Sequence, residues 1–232
     1  LPTTRLVLER VPNTLLLSGA ALGLAVIAAL PLGIASAVRR YSVVDYAATV
    51  TAFLGVSIPV FWLGIMFIII FSVHLRWLPS AGMVTAGEPF RYSDLLRHLI
   101  MPAAVLSTFP TAQLARYTRS SMVEVVAQDY IRTARAKGLA EIAVLGRHAF
   151  RNALIPVVTV LGVIVPRLLG GTVITESIFA WPGLGRLAVD SAITRDYPVI
   201  MGITMFVAVL VILGNLAADL AYVALDPRIK LE

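Results

Sequence analysis

Gln128-Asp-Tyr-Ile-Arg-Thr-Ala-Arg-Ala-Lys-Gly-Leu139, running on to Asn152-Ala-Leu-Ile-Pro156, is a basic, glycine-broken, weakly amphipathic segment set between long uncharged runs. Ala134 and Ala136 favour helix. Asp129 sits where the N-terminal end of that helix favours a negative charge. Gly138 then permits a sharp change of direction. Beyond it Ile142, Leu145 and Ala149 share one helical face while Arg147 and Arg151 share another. The pattern predicts two short helices at an angle, basic outside and apolar beneath. A solvated connector between membrane spans needs few residues, whereas about 28 are used here. The segment 127–156 therefore reads as a docking element for a partner.

The flanking runs set the fold class. Of 232 residues, 59% are hydrophobic and 14% charged, and the mean hydropathy is +0.88. A soluble domain of this size cannot bury so much apolar surface, so the solvent for most of the chain is lipid. Runs of about 20 apolar residues are long enough to cross a bilayer as helix. The sequence predicts an all-α polytopic membrane protein, a single transmembrane domain over 1–232, with five spans at about 11–38, 47–73, 99–121, 152–175 and 198–225. The first span is expected to open at Pro12-Asn13-Thr14, and Pro59 is expected to kink the second. The kink serves either packing at a helix crossing or a gating hinge. Leu184, Leu187, Ala188 and Ile193, set among charges, suggest a short interfacial helix.

Lys and Arg set the orientation. Arg39, Arg40, Arg116, Arg119, Arg132, Arg135, Lys137, Arg147, Arg151, Arg228 and Lys230 fall on one side. Arg5, Arg10, Arg76, Arg91, Arg97, Arg186 and Arg195 fall on the other. The first side is the more basic and reads as cytoplasmic, which places 127–156 and the C-terminus there. The net charge of +6 is mostly this asymmetry, and nucleic acid is not an expected partner.

The chemistry of most enzymes and self-contained pumps has no foothold. There is no cysteine, and His74, His98 and His148 show no ligand spacing, so no metal site is expected. The only lysines, Lys137 and Lys230, lack the glycine-rich context and the following Ser or Thr of a phosphate loop. Energy for transport would therefore arrive from outside the chain. Ionisable and amide groups inside spans are functional candidates. Arg167 lies mid-span beside Pro166, and Asn215, Asp219, Tyr222 and Asp226 form one polar helical stripe. Arg167, Asn215 and Asp219 are candidates for a translocation path, and interhelical hydrogen bonding is the alternative. Glu176, near the outer end of its span, is expected to reach water. A secondary transporter using Asp219 as its ion-coupling site is the rival reading.

Five motifs together resemble the inner-membrane permease subunit of bacterial ABC importers for dipeptides, oligopeptides and nickel. They are Asp129–Leu139, Arg147-His-Ala-Phe-Arg-Asn-Ala-Leu-Ile-Pro156, Phe179-Ala-Trp-Pro-Gly-Leu-Gly-Arg186, Arg195-Asp-Tyr-Pro198 and Asp226-Pro-Arg-Ile229. The likeness covers almost the whole chain and is nearest to the first permease of such systems. It implies a type I importer permease fold of six spans, with one further helix ahead of this chain. It also implies a second homologous permease, ATPase subunits holding ATP and Mg2+, and an extracytoplasmic peptide-binding protein; no cofactor is implied in this chain. Tyr130, Ile131, Arg132, Thr133, Ala134, Arg135, Ala136, Lys137, Gly138 and Leu139 would form the coupling helix that receives the ATPase movement. The family pattern there is Glu-Ala-Ala-x-x-x-Gly; counted back from Gly138, this chain has Arg132-Thr-Ala134, so arginine replaces the glutamate.

Overall fold

The computed structural model describes residues 2–225; within it, side chains at positions 166–167, 169–171, 217–219 and 221–225 fall outside the description. Among the described residues every regular element is helical. In chain order these are α1 (Thr3–Val38), α2 (Val43–Ser57), α3 (Val60–Phe67, continued by a π-helical turn Ile68–His74), α4 (Tyr92–Val126), α5 (Asp129–Ala136), α6 (Glu141–Ala143, continued by a π-helical turn Val144–Phe150), α7 (Arg151–Ile178), α8 (Leu184–Thr194) and α9 (Tyr197–Leu225).

Among the described residues three helical stretches are long and apolar enough to cross a membrane: Thr3–Val38, Glu141–Val165 and Tyr197–Leu216. A fourth is the pair Val43–Ser57 and Val60–His74, bent by 103°. The bend is far sharper than a kinked helix. Proline disfavours helix at the residue before it and donates no hydrogen bond of its own, so the helix stops at Ser57 and restarts at Val60. Pro59 is extended, at φ −59° and ψ 132°. The expected third span lies inside α4, which is continuous over Tyr92–Val126 but is not among the helices apolar enough. His98, Ser107, Thr108, Thr111 and Gln113 dilute it. Met101, Ala103, Val105, Leu106, Ala112 and Leu114 on the same helix are buried.

Two expected features are placed differently. The helix containing the first span does not open at Pro12; it begins at Thr3 and runs through the proline. Asn13 and Thr14 do not cap it but turn their side chains to other segments: Asn13 Nδ2 donates to the Pro182 carbonyl and Thr14 Oγ1 to Glu176. The segment over Leu184–Thr194 is a helix, but Leu184, Leu187 and Ala188 pack with Val7, Val199 and Ile203 instead of facing an interface. Ile193 alone of that set is exposed.

The chain divides into two compact units. The first comprises residues 1–24, 57–108 and 165–214; the second comprises 25–56, 109–164 and 215–232. In the first, Met101, Val105 and Phe179 form a core against Leu63, Phe67, Ile68 and Phe71. In the second, the core gathers Ala37, Met122, Ile131, Ala134, Val144, Ala149 and Ala153.

Candidate functional site

Helix α5 is eight residues long, too short to persist alone in water. Its sequence solves this by i, i+3 spacing: Ile131 and Ala134 both point into the core of the second unit. Ile131 is fully buried. Tyr130, Arg132, Thr133, Arg135, Ala136, Lys137, Gly138 and Leu139 are left on the outer surface. The expected helix over Asp129–Lys137 is present as Asp129–Ala136, with Lys137 closing it.

Gly138 takes φ +77°, a left-handed conformation that glycine adopts at little cost, and the chain turns there. Around the turn Arg135 donates from Nε and Nη2 to the Glu141 carboxylate at 3.1 and 2.7 Å. That pairing holds the Glu141 carboxyl below its usual range. Asn152 Nδ2 donates to the Tyr130 hydroxyl at 2.9 Å, fastening α5 to the start of α7. Arg132 has only a loose contact to Asp129, at 3.5 Å between two highly exposed side chains. The guanidinium therefore remains open to solvent.

The second short helix departs from the expected pattern. Ala149 is buried and Leu145 packs on the core, but Ile142 is 85% exposed. Over Val144–Phe150 the backbone is π-helical, with i→i+5 bonding. Val144 and Ala149, five apart, therefore share the inner face, and Val144 takes the place expected of Ile142.

Beneath α5 lies an ion pair that charge counting missed. Arg119, on α4, counts in the sequence only toward the basic side. It grips Asp45 with two parallel bonds, Nε to Oδ1 at 2.6 Å and Nη2 to Oδ2 at 2.8 Å. Ser36 at the end of α1 donates to the same carboxylate, and the Tyr41 amide donates to it at 2.9 Å. Asp45 is 4% exposed. Its position in the first turn of α2, after the Arg39-Arg40 turn, was the only signal available in the sequence.

In the first unit Glu176 is a hub. It does not reach water; its exposure is 0%. Its carboxylate accepts from Thr14 Oγ1 at 2.8 Å, from the Arg186 amide at 3.1 Å, and from the Gly185 amide and Thr172 hydroxyl. Thr14 Oγ1 also accepts from the Leu184 amide at 2.8 Å. The first amides of α8 are thus capped by oxygen acceptors from α7 and α1, which satisfies donors that a helix N-terminus leaves open. This explains the glycines of Trp181-Pro-Gly-Leu-Gly185. A Cβ on Gly183 would stand 2.3 Å from the Glu176 carboxylate, and one on Gly185 2.5 Å from the Val173 backbone. Trp181, fully buried, donates Nε1–H to the Asn13 carbonyl.

Of the path candidates, Asn215 is exposed on α9. The backbone at Arg167 lies in α7 and that at Asp219 in α9, and both side chains lie outside the described residues. The Asp226-Pro-Arg-Ile229 motif lies outside them altogether. Among the described residues no group of His, Asp or Glu could hold a metal ion.

Residues 29–231 match the sequence pattern of the binding-protein-dependent transport system inner membrane component. The chain belongs to this family. It is 52% identical over 229 residues to the oligopeptide transport system permease protein AppB of Bacillus subtilis, covering 99% of this chain and 72% of AppB. It is 43% identical over 242 residues to the dipeptide transport system permease protein DppB of Escherichia coli, covering 95% of this chain and 71% of DppB. Its fold is similar to the MetNI methionine ABC transporter in an inward-facing conformation, with TM-score 0.73 and 20% identity over 97% of this chain and 98% of that chain. The permease is a transmembrane subunit of an ABC importer and not an enzyme. It is an inner-membrane component of a binding-protein-dependent system, which has ATPase and binding-protein partners. The secondary-transporter reading finds no support in these relatives.

Proposed function

We propose that the permease forms, with a second homologous permease, the translocation path for short peptides, and that α5 is its coupling helix. The observation that carries the reading is α5 itself: a basic outer face fixed by a buried Ile131 and Ala134. ATP and Mg2+ bind in partner ATPase subunits, and an extracytoplasmic peptide-binding protein delivers cargo. Peptide cargo is supported by relatives named for oligopeptides and dipeptides. The coupling segment and C-terminus face the cytoplasm, as the excess of Lys and Arg on that side favours. In this reading α4 also crosses the bilayer, giving five spans; its polar residues are tolerable because much of it is covered by protein.

In the transport cycle, closure of the ATPase dimer pushes on Tyr130–Leu139. Ile131 and Ala134 pass the displacement to Ala37 on α1, Met122 on α4 and Ala153 on α7, which they pack against. Arg132 takes the place of the acidic residue in the general coupling pattern, so its contact on the ATPase is acidic. Arg167, Asn215 and Asp219 line the path. The test is reconstitution of the whole complex in proteoliposomes. Peptide uptake should need ATP and the ATPase subunits and should fall when Arg132 and Arg135 are both made Glu. Uptake driven by an ion gradient with this chain alone would sink the proposal.

A further inference from the structure

We infer that Asp45 and Arg119 are positioning residues that make α2 follow the coupling helix. The inference rests on the proposed coupling role of α5 and extends it to a helix that α5 does not touch through its core residues. Ile131 and Ala134 pack on Ala37 and Met122. Ser36, the neighbour of Ala37, donates to the Asp45 carboxylate. Arg119 lies one helical turn before Met122 and closes the bidentate pair to the same carboxylate. Arg119 Nε also approaches Ser36 Oγ at 3.2 Å. The ends of α1 and α4 that support α5 are therefore bolted to the first turn of α2.

The character of α2 makes this bolt decisive. Of its fifteen residues only Asp45 is buried. Ala48, Ala52 and Gly55 on the same face are only partly buried. Among the described residues α2 is thus packed through small groups alone, and the carboxylate is its most directional tie. An ion pair with one buried partner is a modest source of stability, because desolvating the Asp45 carboxylate offsets part of the attraction to the half-buried Arg119, yet it fixes one geometry sharply. The planar guanidinium imposes direction as well as distance. At its far end α2 stops at the break before Pro59, which has no continuous helical hydrogen bonding to resist bending. Displacement of α5 thus moves α2 as a body and is taken up at that break.

The test uses the assembled complex in proteoliposomes, with peptide transported per ATP hydrolysed as the readout. Three variants are compared: Asp45→Asn, Arg119→Lys, and the double variant Asp45→Asn/Arg119→Gln. The single variants should assemble with the ATPase and hydrolyse ATP, while transport per ATP falls roughly fivefold or more. The double variant leaves no orphaned charge, so its thermal stability should recover while transport per ATP stays low. Recovery of both together would overturn the inference and leave a purely structural pair, as would failure of all three to assemble. Unchanged transport per ATP in all three would also overturn it. A second readout does not depend on coupling: spin labels at Phe53→Cys and Ile142→Cys, both exposed, report the distance between α2 and the α6 turn. It should be single and narrow in the parent protein and broaden in Asp45→Asn. If that holds while the parent complex shows no ATP-driven uptake, the coupling proposal fails and the bolt stands.

Discussion

Replacing Ile131 with alanine should release α5 from the protein without unfolding the rest. Ile131 is fully buried among Ala37, Met122, Val144 and Ala149, and the only other buried residue of the helix is the small Ala134. Truncating a buried isoleucine to alanine costs about 2–5 kcal/mol, because the lost transfer energy is joined by a cavity its neighbours fill only in part. At about 1.4 kcal/mol per factor of ten, that raises local opening roughly 30-fold to several thousand-fold. Opening should stay local because eight residues make an independent exchange unit once their anchor is gone. Amide hydrogen exchange of residues 129–136 in the purified complex measures it directly. Ile142→Ala is the control: the side chain is 85% exposed, so its removal should change stability by less than about 0.5 kcal/mol. Exchange in α5 that is unchanged by Ile131→Ala, or matched by Ile142→Ala, would refute the anchoring argument.

Gly183→Ala should disrupt α8 more than its small volume suggests, because its Cβ would collide with the Glu176 carboxylate; loss of amide protection at Leu184, Gly185 and Arg186 would register it. Gly138→Ala meets no neighbour, so its cost should be only the left-handed backbone strain, about 1–2 kcal/mol, read as a modest fall in transport with intact assembly. The Arg135–Glu141 pair should loosen in acid. Glu141 has its pKa lowered in the fold, so its contribution is present above the unfolded value, about 4.3, and is lost as pH falls through the folded one. Exchange near Gly138 should rise on acidification beyond the intrinsic rate change, and Glu141→Gln should abolish that dependence.

Local features were the legible part of this sequence. Asp129, the alanines and Gly138 give a helix and its stop within ten residues; that Ile131 and Ala134 turn inward within the expected contact segment emerges only from the packing. The long uncharged runs likewise announce spans, since lipid leaves the backbone few alternatives. What was not legible depends on distant partners. Asp45 and Arg119 are 74 residues apart, and Thr14 and Glu176 are 162 apart. Thr14 beside Pro12 looks like a helix start because hydroxyls commonly cap; here the hydroxyl serves the first amides of another helix. Glu176 looks solvated because it stands near a span end, yet the loop after it folds back and buries it. Ile142 misled for a local reason: the π-helical turn that follows it sets Val144, five before Ala149, on the inner face, and no composition rule marks where such a turn begins.

Cross-linking measures the central claim most directly. Cysteine is absent from this chain, so a single Lys137→Cys on α5 supplies its only thiol. In the assembled complex with a cysteine placed in the ATPase cleft, the two should form a disulfide, and uptake should stop until reductant is added. Efficient cross-linking that leaves uptake unaffected, or the absence of any cross-link along the ATPase surface while uptake proceeds, would contradict the account.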